Sequence, residues 1–129
     1  MKKALLFVLI LTFGINFNIK AYDFYAVYNG DTIYYNIISS IANTVEVTSR
    51  VNYYNEYSNG YTEVISIPSS VSYNKVLYNV ISIGIGTFQN CSELNSINIP
   101  NSVTLIGAWA FDCCSRLTSI TCKSTTNMD

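Results

Sequence analysis

The chain predicts a short, β-rich solenoid of about two and a half coils behind an N-terminal β-hairpin/meander cap. Two observations carry this. A 23-residue pattern recurs near the C-terminal end, and a tyrosine-rich, alternating stretch precedes it. All eleven tyrosines fall between Tyr22 and Tyr78, whereas all four cysteines fall between Cys91 and Cys122. The two parts are therefore built by different rules. A chain of 129 residues, half hydrophobic and 12% charged, suits one modest core and is far too apolar for a disordered segment.

Residues 1–21 read as a secretory signal peptide. Lys2 and Lys3 lead, an apolar block follows from Ala4 to Ile15, and cleavage would fall after Ala21. That block is too short for the roughly 20 apolar residues a membrane-spanning helix needs. Removal of residues 1–21 leaves four basic residues against eight acidic ones, a net charge near −4. With no basic run, nucleic acid is not an expected partner.

From Tyr22 to Pro68 the chain alternates as half-buried strands do. Asn29-Gly30 sits between two alternating runs, "YDFYAVY" and "DTIYYNI", and both residues accept the positive φ of a hairpin turn. Val45, Val47 and Ser49 alternate with Thr44, Glu46 and Thr48, and a second Asn-Gly follows at Asn59-Gly60. The expectation is a meander of about four strands over 22–68. Its tyrosines serve cross-strand packing or form a stacking platform for sugars.

The repeat is read by superposing "VISIGIGTFQNCSELNSINI" on "TLIGAWAFDCCSRLTSITC". Ile83 and Ile106, Gly84 and Gly107, Phe88 and Phe111, Cys91 and Cys114, Leu94 and Leu117, and Ile97 and Ile120 all match at a step of 23. Such a period, with Leu, Ile and Cys at set places, is the mark of a leucine-rich repeat solenoid. It predicts a strand, a turn and a short helical stretch in each coil. The motif "ISIPSSV" (Ile65–Val71) returns as "INIPNSV" (Ile97–Val103) after 32 residues, and the surplus fits a hairpin insert at 72–80, turning at Asn74-Lys75. The expected division is a cap over 22–68, repeats over 69–123 and a tail over 124–129.

These residues resemble the BspA-like, or treponemal-type, leucine-rich repeat proteins. "IPNSVTLIGAWAFDCCSRLTSI" matches their pattern of Ile-Pro-x-Ser-Val, Ile-Gly, Ala-Phe, Cys, Leu and Ile almost position for position. "GIGTFQNCSELNSI" matches with Thr87 in place of Ala. The stretches "DFYAVYNGDTIYYNI", "VEVT" and "YTEVISIPSSVSYNKVLYNVISIG" are similar to the leader of many members. The resemblance implies secreted or cell-surface proteins of bacteria, with adhesion to an extracellular protein or glycan. The family usually carries more repeats, so the alternative expectation is a truncated repeat protein with a structural or accessory role, its open C-terminal end docking onto a partner or a copy of itself.

Catalysis has little to stand on. Histidine is absent, which removes Ser-His-Asp and Cys-His nucleophiles and histidine-containing zinc sites. The cysteines lack paired C-x-x-C spacing, so neither a metal nor another cofactor is expected. Phe88, Cys91, Leu94, Ile97, Phe111, Cys114, Leu117 and Ile120 are read as a core ladder. Rungs about 5 Å apart with parallel Cα–Cβ bonds fit a disulfide poorly, since that bond needs Cβ atoms about 3.8 Å apart. Cys113 stands beside the ladder, where the earlier repeat has Asn90, and is the thiol expected at the surface. Trp109 is read as packing or surface decoration. Glu93 and Asp112 could be imagined as the acid pair of a glycosidase, but they occupy unmatched repeat positions. The candidate binding surface is the concave strand face, with Ser96, Asn98, Ser119 and Thr121 pointing away from the core and Val64 and Ser66 on the opening strand.

Overall fold

The computed structural model describes residues 21–50 and 60–123. Residues 1–20 of the predicted signal peptide, the turn residue Asn59 and the 124–129 tail lie outside the described residues. Nine strands are described: β1 (Phe24–Tyr28), β2 (Asp31–Ser39), β3 (Thr44–Thr48), β4 (Glu63–Ser66), β5 (Ser70–Tyr73), β6 (Val76–Ile83), β7 (Leu94–Ile99), β8 (Leu105–Ile106) and β9 (Ser119–Cys122).

They form two sheets. One runs β1-β2-β3-β6-β5, with β8 also beside β6; the other is parallel and runs β4-β7-β9. β1 and β2 are antiparallel around Asn29 (φ 53°) and Gly30 (φ 91°), the left-handed pair their sequence anticipates. β2 continues antiparallel into β3. β5 and β6 are antiparallel around Asn74 and Lys75, both left-handed.

Among the described residues the meander has three strands, β1 to β3, and no fourth. β4 leaves the tyrosine-rich sheet and pairs in parallel with β7, Ile65 against Ile97. The pattern "ISIP" explains why: Ile65 and Ile67 are buried, as are Ile97 and Ile99 at the same step, so pairing β4 with β7 puts both apolar rows on one face. β3 in turn pairs in parallel with β6, Val47 against Ile83, and β6 pairs in parallel with β8, Ile83 against Ile106. The meander is thus continuous with the repeat's own sheet.

The expected short helical stretch is also replaced. No helix occurs among the described residues. Each repeat closes instead through successive four-residue turns. Thr87, Gln89 and Cys91 donate to the carbonyls of Gly84, Gly86 and Phe88, and Ala110, Asp112 and Cys114 donate to those of Gly107, Trp109 and Phe111. A helix cannot run through because every fourth residue is left-handed: Gly86 (φ 61°) and Asn90 (φ 60°), then Trp109 (φ 55°) and Cys113 (φ 57°). The two turn segments are also tied to each other, with Gly86, Phe88 and Asn90 donating to Ala108, Ala110 and Asp112 at 2.8 to 3.0 Å.

Both sheets feed one core. Ile33, Tyr35, Val45, Val47, Val80 and Ile83 enter from the larger sheet, and Ile65, Leu94, Ile97 and Ile99 from the parallel one. Phe88 and Cys91 fill the space at the turns, both fully buried. Each such side chain contributes about 1.5–3 kcal/mol of transfer free energy. Aromatic rings form a column through this core: Tyr61 lies 4.8 Å from Phe88, and Phe88 stacks on Phe111 at 5.4 Å with the planes 1° apart. A second cluster, Phe24 stacked on Tyr73 (4.2 Å) and on Tyr35 (5.2 Å), fastens β1 to the β5–β6 hairpin.

Candidate functional site

The parallel sheet sets the site's geometry. Val64, Ser96 and Ser119 form one rung and Ser66, Asn98 and Thr121 the next, each residue in register with its neighbours. Alternation does the rest: Ile65, Ile97 and Ile120 form the rung between, and the first two are buried. Ser96 and Asn98 are half-buried, and Ser119 and Thr121 are exposed. The Asn98 side-chain amide donates to Ser66 Oγ at 2.9 Å, so within this rung β4 and β7 are joined by side chains as well as by backbone. The strip carries no charge.

At the carboxyl ends of β4 and β7 this strip opens into a cleft of about 380 Å³. Ser66 and Asn98 reach into it from the strands. The corners at Pro68 and Pro100 form one wall, and Tyr28 and Asn29, at the tip of the β1–β2 hairpin, form another. Sequence reasoning missed this cleft, because nothing local in "VYNGD" says where the hairpin tip will lie.

The cysteines stand as four free thiols. Cys91 is buried and Cys114 half-buried, its Sγ donating to the Phe88 carbonyl at 3.0 Å. Burial pushes the Cys114 thiol up from its ordinary value, against the opposing pull of the Cys91 backbone amide and with smaller pushes from Cys113 and Asp112; the net direction is the reverse of what an activated nucleophile needs. Cys113 and Cys122 are exposed. Trp109 is exposed on its left-handed turn.

The core ladder is uneven. Phe88, Cys91, Leu94 and Ile97 are fully buried, whereas Phe111, Cys114 and Leu117 are only half-buried and Ile120 is 48% exposed. Placing Ile120 in the core therefore needs correction. It keeps its register with Ile97, but β9 is the outer strand of its sheet among the described residues. Cys122, in register with Ile99, is exposed for the same reason.

Glu93 and Asp112 each engage a different partner. Glu93 binds Arg116 at 2.6 Å, and Asp112 accepts from Gln89 Nε2 at 3.0 Å, both on the surface. Each contact spans one repeat step of 23, so scanning that offset for complementary side chains would have found both. Among the described residues no cluster of cysteine and carboxylate side chains is placed to hold a metal ion, and no helix is long and apolar enough to cross a membrane.

A parallel strand ladder, turns stacked at a fixed step and a continuous aromatic column define a strand-rich scaffold of the leucine-rich repeat kind. The model of the BspA type leucine-rich repeat region, itself six copies long, matches residues 63–128, and the chain belongs to that family. A leucine-rich repeat protein from Bacteroides ovatus is 37% identical, with a TM-score of 0.61 over 77% of this chain and 23% of its own. A leucine-rich cell surface protein from Faecalibacterium prausnitzii is 27% identical, with a TM-score of 0.57 over 80% of this chain and 24% of its own. A leucine-rich repeat protein from Bacteroides capillosus shares the fold at 22% identity, with a TM-score of 0.54 over 77% of this chain and 65% of its own. The chain thus spans about a quarter of the length of the first two. No curated protein matches it.

Proposed function

We propose that this is an exported, non-enzymatic binding protein of the bacterial cell surface, which uses its strand face to hold an extracellular protein or glycan in adhesion. The observation that carries this is the pair of uncharged polar rungs, Ser96 with Ser119 and Asn98 with Thr121, held in register on a rigid parallel sheet. Hydroxyls and carboxamides both donate and accept, so such a strip can meet a backbone or a sugar without burying an unpaired charge. Leucine-rich repeat families are generally binding scaffolds rather than catalysts. The F. prausnitzii relative, described as a cell surface protein, supports the location, and residues 1–21 as a signal peptide supply the route.

In this reading β1–β3 cap a short solenoid of about two and a half coils. Val47 stands to Ile83 as Ile83 stands to Ile106, and the Gly84 and Gly107 amides donate to the Val47 and Ile83 carbonyls at 2.8 Å alike. Thr87 supports the same view. Its buried hydroxyl lies 3.0 Å from the Val47 carbonyl and 2.7 Å from that of Gly84, at the position where the next repeat has Ala110.

The test is capture of extracellular proteins and glycans by residues 22–129, compared with a variant in which Ser96, Asn98, Ser119 and Thr121 are all lysine. Capture should be lost in the variant; equal capture by both moves the site off the strand face. A second reading, docking of the outer coil onto another repeat protein or a second copy, is favoured by the exposure of Ile106, Trp109 and Ile120. Light scattering tests the second-copy form of it, since a monomer at high concentration removes self-association.

A further inference from the structure

We infer that the cleft between the β1–β2 hairpin tip and the ends of β4 and β7 binds a carboxylate-bearing sugar ring, such as a uronic acid at the end of a glycan. This rests on the reading of the chain as a binding scaffold and specifies one ligand class for it.

The lining decides the class. Carboxamides come from Asn29, Asn98 and Asn101, hydroxyls from Ser66 and Ser69, an aromatic ring from Tyr28 and an ammonium from Lys123. Among the described residues no carboxylate lines the cleft. Carboxamides and hydroxyls are the groups that satisfy vicinal sugar hydroxyls, since each can both give and take a hydrogen bond. Tyr28 lines the cleft and is 40% exposed, an aromatic surface of the kind that packs on the C–H side of a pyranose. A single cation without a neighbouring acid favours one anionic substituent. A phosphate-rich ligand would call for several cations or a bidentate arginine, and neither lines the cleft among the described residues. The volume of about 380 Å³ lies at the lower end of small-ligand sites, the scale of one or two sugar units.

The walls are fixed before any ligand arrives. The Ile67 amide donates to the Asn98 carbonyl at 3.0 Å, and the Lys123 amide donates to the Ile99 carbonyl at 3.0 Å. The Asn98 amide is held by Ser66, which leaves its carbonyl oxygen for a ligand hydroxyl. Asn29 and Gly30 lock the hairpin tip. Such preorganisation lowers the ordering cost of binding.

The full exported chain should be titrated calorimetrically with a glucuronic acid-terminated disaccharide, its glucose-terminated counterpart and acetate. The uronate should bind about tenfold more tightly than the neutral sugar, and acetate should not bind measurably. Lys123→Met should bring the two sugars to equal affinity. Tyr28→Ala should weaken both, and Asn98→Ala should weaken both with the fold retained by circular dichroism. Equal affinity for the two sugars in the unaltered chain, acetate binding as well as the uronate, or unchanged binding in Tyr28→Ala would each overturn the inference. Capture of an extracellular protein with no response to uronates removes the cleft's ligand and leaves the scaffold reading standing. Failure of both removes the two together.

Discussion

The two repeat units, residues 84–99 and 107–122, follow one pattern and have different fates. Phe88, Cys91, Leu94 and Ile97 are completely buried; Phe111, Cys114, Leu117 and Ile120 are not. The side chains are the same or close, the turns share their hydrogen bonds and the strands share their register. What differs is the neighbours. The first unit lies between Tyr61 and β3–β4 on one side and the second unit on the other. Among the described residues the second unit has a strand partner on one side only. In a stacked repeat, burial belongs to the position in the stack rather than to the residue.

The largest test of this difference is paired truncation. Phe88→Ala removes a ring packed between Tyr61 and Phe111 and should cost about 3–5 kcal/mol. Phe111→Ala removes a half-buried ring packed on one face and should cost less than half as much. Urea midpoints compared at equal slope give both values. Equal losses would mean that the second unit is covered in solution.

Glycine inverts the order. A Cβ on Gly107 would lie 2.6 Å from the Ile85 amide nitrogen and 2.7 Å from the Gly84 carbonyl carbon, which is backbone that cannot step aside. A Cβ on Gly84 would meet only the end of the Glu46 side chain, at 3.1 Å. Gly107→Ala should therefore destabilise by about 2–3 kcal/mol and Gly84→Ala by under about 1 kcal/mol. The more open unit is here the less tolerant, because it lies against a unit of its own kind and the first lies against a flexible carboxylate.

Tyr61 closes the first unit's inner side, donating from its hydroxyl to the Thr48 carbonyl at 2.9 Å and accepting from the Tyr34 amide at 3.2 Å. Tyr61→Phe should cost about 1–2 kcal/mol at pH 7. Burial holds its phenol well above the ordinary tyrosine range, and Tyr35 and the Cys114 thiol are shifted the same way. The folded state then keeps protons that the unfolded chain releases, so stability is full below the ordinary values and falls as pH rises past them, from about 9 for the thiol and about 10 for the phenols. Urea midpoints at pH 7 and pH 10.5 should show this fall, and Tyr61→Phe should reduce it.

Much of this was legible in advance, and the step of 23 is why. It aligned Phe88 with Phe111 and Ser96 with Ser119 without any structural information, because a repeat states its contacts in sequence. Pairings between unlike segments were not legible. β3 pairs with β6 across more than thirty residues, and nothing in "TVEVT" names "VISI" as its partner. β4 looked like the meander's next strand because both alternate, and only its buried isoleucines assign it to β7. The turns looked helical because the repeat period leaves room for a helical stretch, although Gly86 and Asn90 mark left-handed places in the first unit. Of the candidate site, the strand face followed from alternation, but the cleft depends on where a distant hairpin tip comes to rest.

Those left-handed places give a stabilising test. The first unit fills them with Gly86 and Asn90, the residues best suited to positive φ, and the second with Trp109 and Cys113, which are not. Cys113→Asn copies the first unit at an exposed position and should stabilise by about 0.5–1 kcal/mol. Trp109→Gly relieves similar strain but also loosens the unfolded chain, so its gain should be smaller. Asn90→Cys runs the exchange backwards and should cost what Cys113→Asn gains. If neither exchange moves the urea midpoint, the second unit does not carry this strain in solution.

The smallest effect is expected where the two units touch through charge. Arg116 meets Glu93 at 2.6 Å, but the two side chains are 63% and 54% exposed, so solvent screens most of the attraction. Exposed pairs contribute about 0.2–1 kcal/mol at most, and this one should lie at the low end. A double-mutant cycle with Glu93→Gln and Arg116→Gln should return a coupling of a few tenths of a kcal/mol at low salt. Raising the ionic strength to 1 M shortens the screening length to about 3 Å and should remove it. A coupling above about 1 kcal/mol that survived salt would mean that the pair is shielded from solvent. Something would then cover the rim where the second unit meets the first, and the openness that separates the two units would end at that edge.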